Sequence, residues 1–80
     1  MYVCEIVAER IVQLCKERLM TPNGLSYTAG VPQATIKSII NGESKNPGIA
    51  TIKKLCDGFG ITLAEFFDTP QFNESEQEIR

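Results

Sequence analysis

The side chains best suited to recognising a ligand lie close together, in residues 33–45. Gln33 carries an amide that can pair with adenine through two hydrogen bonds, and Ser38 can donate or accept at a base edge. Ala34 or the methyl group of Thr35 could pack on a thymine methyl. The polar side chains that can reach phosphates are Lys37, Asn41 and Lys45. Base-edge and phosphate chemistry in one short segment favours contact with double-stranded DNA, although Gln33 and Ser38 could also be ordinary solvated surface.

The remaining residue types give little support to catalysis or metal binding. The chain has no histidine, which is the usual general base, and no nucleophile–base pair is visible. Cys4, Cys15 and Cys56 are far apart and form no C-x-x-C pair, so a zinc site would lack ligands. Such thiols are typical of a reducing cytoplasm, and a thiol redox sensor is the weaker alternative. We expect a cytoplasmic, non-enzymatic protein with no metal, cofactor or small-molecule substrate.

Length and charge narrow the class further. Eighty residues, 42% of them apolar, make one small globular domain without a membrane-spanning segment or a secretory signal. The net charge of −2 is unevenly distributed. Residues 1–61 carry seven basic and five acidic side chains, whereas residues 62–80 carry one basic and five acidic. This argues against strong non-specific nucleic-acid binding but allows a modest basic face.

Periodicity and capping residues predict the elements that position residues 33–45. Apolar residues recur every three or four positions from Cys4 to Cys15, which indicates a first helix. Thr21 as N-cap and Pro22 at the first helical position open a second helix, which Gly30 ends. The third helix runs from Gln33 to Asn41, with Ile36, Ile39 and Ile40 on its apolar side.

The second half of the chain is also predicted to be helical. A fourth helix extends from Ile49 to Phe59, and Thr62 with Glu65 forms a capping box that opens a short fifth helix. We expect one domain in residues 1–68. Residues 69–80 should form an acidic, loosely ordered tail, with only Phe72 and Ile79 to anchor it.

Two short helices joined by a glycine-centred turn are the elements of a helix-turn-helix, whose second helix enters the DNA major groove. At these residues the chain resembles the Xre/Cro-like (lambda-repressor-like) helix-turn-helix domains over roughly residues 6–68. The resemblance is carried by an ordered set of residues: Leu25, Gly30-Val31, Ile36, Ile39, Gly42, Pro47, Leu55 and Gly60-Ile61.

This resemblance implies an all-α, five-helix fold, sequence-specific DNA binding and usually a homodimer. It also assigns roles to individual positions. The base-reading positions would be Gln33, Ala34, Thr35 and Ser38. The phosphate-contacting positions would be Asn41, Ser44 and Lys45.

The chain departs from the family's pattern at three positions. Pro22 stands where the family often has a phosphate-contacting glutamine, and Pro32 replaces the favoured serine or threonine. Both changes remove a side-chain hydrogen-bond donor, which predicts a weaker hold on phosphate. Leu19 occupies a position where a glycine often ends the first helix.

The leading hypothesis is therefore a homodimeric transcriptional regulator that represses by occupying an operator. The alternative is a protein-interaction module on the same fold, such as an antitoxin-type or regulator-partner protein with weak DNA affinity. A positive patch around Lys37 and Lys45 would favour DNA. An exposed apolar surface near Phe66, Phe67 and Phe72 would favour a protein partner.

Overall fold

The computed structural model describes residues 1–78, and all regular structure within them is helical. The helices are α1 Val3–Glu17, α2 Pro22–Ala29, α3 Gln33–Ile40, α4 Ile49–Phe59, α5 Leu63–Phe67 and α6 Pro70–Asn73. The predicted all-α class is confirmed. The described residues contain one helix more than the predicted five, because a sixth forms beyond residue 68.

The core is apolar throughout residues 1–78, since no polar or charged side chain there is buried. The buried side chains are Ile6, Val7, Ile11, Leu14, Cys15, Leu25, Val31, Ile36, Ile39, Ile52, Leu55, Cys56, Phe59 and Phe66. Helices α1 to α5 all contribute, so each amphipathic stripe faces one shared interior. The three cysteines are free thiols, and burial raises the pKa of Cys15 and Cys56.

The predicted helix starts and stops are confirmed where capping residues define them. The Thr21 hydroxyl accepts a hydrogen bond from the Gly24 N–H at 3.0 Å. Gly30 ends α2 in the left-handed region, with φ of 68°. At α5 the Thr62 hydroxyl accepts from the Glu65 N–H at 3.0 Å, and the Glu65 carboxylate accepts from the Thr62 N–H at 2.9 Å. These bonds satisfy N–H groups that have no carbonyl partner within the helix.

The turn between α1 and α2 contains a strained residue. Leu19 has φ of 53°, a left-handed conformation that side-chain-bearing residues rarely adopt, and 95% of its surface is exposed. The Met20 N–H donates to the Cys15 carbonyl at 2.8 Å, which holds the turn closed. The conformation is the one that a glycine adopts without steric cost, so the turn keeps its shape with a leucine in place.

Two arginines, Arg10 within α1 and Arg18 at its C-cap, tie that helix to the carboxyl ends of α5 and α4. Arg10 donates through Nε to the Phe66 carbonyl at 2.8 Å and through Nη2 to the Glu65 carbonyl at 2.9 Å. Arg18 donates through Nε to the Phe59 carbonyl at 3.0 Å. Because the last carbonyls of a helix lack partners and carry partial negative charge, both guanidinium groups are well placed there.

Helix α4 holds the helix-turn-helix through a close backbone approach to α2. A Cβ atom placed on Gly58 would lie 2.8 Å from the Ala29 Cβ and 3.1 Å from the Ala29 Cα. Such distances are not tolerated, so glycine is required for the two helices to lie this close together. The sequence analysis did not identify Gly58.

The segment after residue 68 is more structured than a loose tail. Pro70 occupies the first turn of α6, and the Phe72 ring centroid lies 4.8 Å from that of Phe67 and 6.1 Å from that of Phe66. Phe66 is fully buried and the other two rings are partly buried against the core. The three phenylalanines therefore pack largely on each other. Ile79, the other expected anchor, lies outside the described residues, and the domain boundary at residue 68 stays a prediction.

Candidate nucleic-acid interface

The turn between α2 and α3 is fixed by hydrogen bonds and by buried side chains. The Ser26 hydroxyl donates to the Val31 carbonyl at 2.6 Å, while the Val31 N–H donates to the Ser26 carbonyl at 3.3 Å. Leu25, Val31 and Ile36 are buried below the turn. The orientation of α3 relative to α2 is thus set by the core and not by solvent-exposed contacts.

Helix α3 presents one apolar and one polar face, as predicted. Ile36 and Ile39 are buried, and Ile40 is half-buried. At about 100° per residue, four of the predicted site residues lie on the opposite face: Ala34, Lys37, Ser38 and Asn41. Gln33 and Thr35 lie at its two edges. Gln33 is exposed, whereas Thr35 and Ser38 are half-buried.

The loop after α3 brings the remaining site residues to the same end of the helix. Gly42 adopts φ of 78° and reverses the chain. The Ser38 carbonyl then accepts hydrogen bonds from the N–H groups of Glu43 at 2.9 Å and Ser44 at 3.1 Å. Lys45 is exposed and Ser44 half-buried. The backbone of Ser38 thus supports the loop, while its side chain stays on the polar face.

Several hydroxyl groups outside the candidate site form hydrogen bonds within the fold. Ser26, Thr28 and Ser75 each donate to a backbone carbonyl. Within residues 1–78, by contrast, none of the polar site side chains forms a hydrogen bond or ion pair; these are Gln33, Thr35, Lys37, Ser38, Asn41, Ser44 and Lys45. Their donors and acceptors are therefore available to a ligand.

The start of α3 offers backbone donors. Its N-cap is Pro32, which makes no side-chain hydrogen bond to the first turn. The first N–H groups of a helix have no carbonyl one turn earlier, and they suit an anionic oxygen such as that of a phosphate. The third N–H group is occupied in both helices, by the Thr21 hydroxyl for Gly24 of α2 and by the Pro32 carbonyl at 3.0 Å for Thr35 of α3. The donors offered at the start of α3 are therefore the N–H groups of Gln33 and Ala34.

The charge around the site is positive but modest. Lys37 and Lys45 are exposed and form no ion pair within the described chain, whereas Lys53 pairs with Asp57 one turn along α4. Glu43 lies in the same loop as Lys45. Glu78 lines the same cavity as Lys45, of about 340 Å³. The acidic neighbours reduce the field that two lysines would otherwise produce.

One exposed side chain of the motif was missed by the sequence analysis. Tyr27 on α2 is 94% exposed, and its ring makes no aromatic contact within residues 1–78. Its position two residues after buried Leu25 places it on the opposite side of the helix, a signal that the helical period could have given.

Other site types find no support in the described residues. Residues 1–78 contain no cluster of three or more potential metal ligands, and no helix among them is long and apolar enough to cross a membrane.

Comparison with known proteins agrees with the helix-turn-helix fold. Residues 10–71 match the model of a family described as the Cro/C1-type helix-turn-helix DNA-binding domain. A solved structure, the crystal structure of the prophage Lp1 protein 11, superposes with a TM-score of 0.81 at 37% sequence identity. The match covers 92% of this chain and 99% of that one. No curated protein matches.

Proposed function

Because the chain belongs to the Cro/C1-type helix-turn-helix DNA-binding family, we propose that it is a cytoplasmic, sequence-specific transcriptional regulator that represses by occupying an operator. The observation that carries this proposal is the polar face of α3. That face carries side chains that can contact base edges and phosphates, and they form no hydrogen bond or ion pair within residues 1–78. On the other side of α3, Ile36 and Ile39 anchor the helix in the core.

Each site residue has a role that follows from its chemistry and exposure. Gln33 and Ser38 make hydrogen bonds to base edges in the major groove, and Ala34 packs on a thymine methyl. Thr35, at the edge of the face, adds a methyl contact. The phosphate contacts come from Lys37, Asn41, Ser44 and Lys45.

The regulator acts as a homodimer on a palindromic site. One eight-residue recognition helix reads only a few base pairs, which is too little to select one site in a genome. Two copies related by a two-fold axis double the sequence read, with half-sites about one helical turn apart. The homodimer thereby gains specificity from two copies of the same recognition helix.

Selection of bound DNA from a random pool, at a defined salt concentration, tests the proposal. The parent should enrich one palindromic sequence. Gln33→Ala and Ser38→Ala should each weaken binding to it by roughly 1–3 kcal/mol. Gln71→Ala is the matched control, because it makes the same change on the exposed surface of α6. Equal binding by all four proteins would contradict the role of α3.

The charge distribution supports a second candidate function, that of a protein-interaction module. Glu43 and Glu78 lie near Lys45, and the chain as a whole carries −2, which suits a protein-interaction module with weak DNA affinity. The same selection separates the two functions. Failure to enrich any DNA sequence at low salt would favour the interaction module.

A further inference from the structure

Helix α1 carries an apolar groove on its outer side that the DNA-binding site does not use. We call it the α1 groove. Its apolar lining is Ala8 and Val12 of α1 with Ile40 at the end of α3, and it has a volume of about 430 Å³. All three side chains are only half-buried, and the groove opens to solvent. Its polar rim consists of Glu9, Gln13, Lys16 and Glu17.

The charges on the rim have a symmetric arrangement. Glu9 lies three residues before Val12 and Lys16 four residues after it. At about 100° per residue, both project from the same flank of α1, roughly 40–60° from Val12. Neither forms an ion pair within residues 1–78. An acid and a base thus stand at nearly equal distances along α1 on either side of the half-buried Val12.

We propose that the α1 groove is the docking site for a second copy of this chain. The two α1 helices pack antiparallel across a two-fold axis near Val12. Antiparallel two-fold packing brings the same flank of both helices together and reverses their direction. Glu9 of each copy then lies opposite Lys16 of the other, giving two equivalent ion pairs around an apolar centre. The rim charges of the groove are thus complementary to those of a second copy of the chain.

The groove also links dimerisation to DNA reading, and here the inference rests on the homodimer proposed above. Ile40 is the last residue of α3, so docking places the carboxyl ends of both recognition helices near the axis. Gln33 lies seven residues away, about 10 Å further out along α3. The base-reading ends are thereby directed to opposite sides of the axis, as a palindromic site requires.

The size of the contact predicts its strength. A fifteen-residue helix is about 22 Å long, and one such helix per copy makes an interface at the small end of the specific range. The dimer should therefore dissociate at low protein concentration. Binding of both copies to one DNA site should stabilise it.

Sedimentation of the full chain, alone at high concentration and on its selected DNA, tests the inference. Val12→Glu should give a monomer in both conditions. Ile49→Glu is the matched control, because Ile49 is an exposed apolar residue outside the groove, at 62% exposure. It should leave the dimer intact. Thermal unfolding should show both variants folded, since the two positions are not part of the buried core.

Exchanging the charges of Glu9 and Lys16 tests the proposed ion pairs between the two copies directly. Glu9→Lys and Lys16→Glu should each weaken the dimer at least tenfold by placing like charges opposite one another, and the double exchange should restore it. A dimer that survives Val12→Glu, or that is lost only in Ile49→Glu, would overturn the α1 groove while leaving a dimeric regulator. A parent that is monomeric throughout would overturn both the groove and the dimer, and would leave the groove to a different protein. Failure to select any DNA sequence would overturn the proposed function alone, because sedimentation of the protein without DNA still tests whether the α1 groove forms a dimer.

Discussion

On one side of the molecule, Arg10 and Arg18 donate to backbone carbonyls at the ends of α5 and α4. On the other side, Lys37 and Lys45 around α3 have no partner within residues 1–78. The guanidinium group suits fixed, multiple hydrogen bonds, whereas the ammonium group is a mobile point charge on a flexible stem. The net charge is therefore a poor guide to DNA binding here, because two of the positive side chains hold backbone carbonyls of the fold and only part of the positive charge lies around α3.

On the arginine side the effect should appear in folding. Arg10→Met keeps the aliphatic stem but removes the side-chain donor of the part-buried Phe66 carbonyl, which should lower the free energy of unfolding by about 2 kcal/mol. The Glu65 carbonyl keeps the Asp68 N–H as a donor at 3.4 Å. Urea unfolding gives the measurement. Lys54→Met, an exposed residue of α4, is the matched control and should change stability by less than about 0.5 kcal/mol. Equal losses in the two variants would remove the distinction between the regions.

The close approach of α2 and α4 should also show in stability. Gly58→Ala places a Cβ atom 2.8 Å from the Ala29 Cβ, and relieving this overlap should cost about 1–3 kcal/mol of unfolding free energy. Gly24→Ala is the control with the opposite sign. A Cβ there meets only the Thr21 hydroxyl at 3.5 Å, so the helix should gain up to about 1 kcal/mol. Chemical unfolding of both variants checks the pair, and a stabilised Gly58→Ala would show that α2 and α4 are not held this closely.

On the lysine side the effect should appear in binding and not in folding. Lys45→Ala should lower affinity about equally for all DNA sequences and reduce the slope of log affinity against log salt by about 0.9. Its unfolding free energy should match that of the parent, because Lys45 makes no ion pair within the described residues. A salt titration with specific and random DNA measures the slope. A changed sequence preference at constant slope would assign Lys45 to a base contact.

Whether a structural feature can be predicted from the sequence depends on how far apart along the chain the residues that form it lie. The bounds of α2 and the start of α5 follow from neighbouring residues, Thr21 and Thr62, whose hydroxyl groups cap helices locally. The polar face of α3 follows from the helical period alone. By contrast, the carbonyls capped by Arg10 are 55 and 56 residues away along the chain. The contact of Gly58 with Ala29 is similarly distant, and no local pattern encodes either.

Two local features were also only partly foreseen. Leu19 was known to replace a common glycine, but its left-handed φ of 53° required the structure, because leucine itself disfavours that conformation. Helix α6 was missed because the predicted tail is polar and acidic. The start at Thr69-Pro70 and the packing of Phe72 on Phe67 still allow one helical turn there.

Leu19→Gly should relieve that strain and raise the free energy of unfolding by up to about 1 kcal/mol. The gain is limited because glycine also increases the conformational entropy of the unfolded chain. Thermal and urea unfolding measure it, and DNA affinity should not change. Leu63→Gly, at the first position of α5 with ordinary helical backbone, should instead be destabilising. A loss of stability in Leu19→Gly would mean that the leucine contributes more than its exposure indicates.

The smallest effect concerns pH. Hydrogen bonds from Thr62 lower the pKa of Glu65 below its ordinary value of 4.5. A carboxyl group with a lowered pKa stabilises the fold above its unfolded pKa, and this contribution is lost as the pH falls through the folded pKa. Glu65→Gln should therefore flatten the loss of stability below about pH 4.5. Glu43→Gln, an exposed acid with no ion pair within residues 1–78, is the control. Identical acid unfolding curves for parent and Glu65→Gln would contradict this contribution.

The central claim is that the polar face of α3 reads bases. It is tested most directly by measuring the affinity of the parent and of Gln33→Ala for the selected site and for every single base-pair variant of it. If α3 reads bases, Gln33→Ala will lose the preference at one adenine-containing position in each half-site, by roughly 1–3 kcal/mol, and keep the preferences elsewhere. A uniform loss at all positions, or an unchanged profile, would contradict base reading by α3.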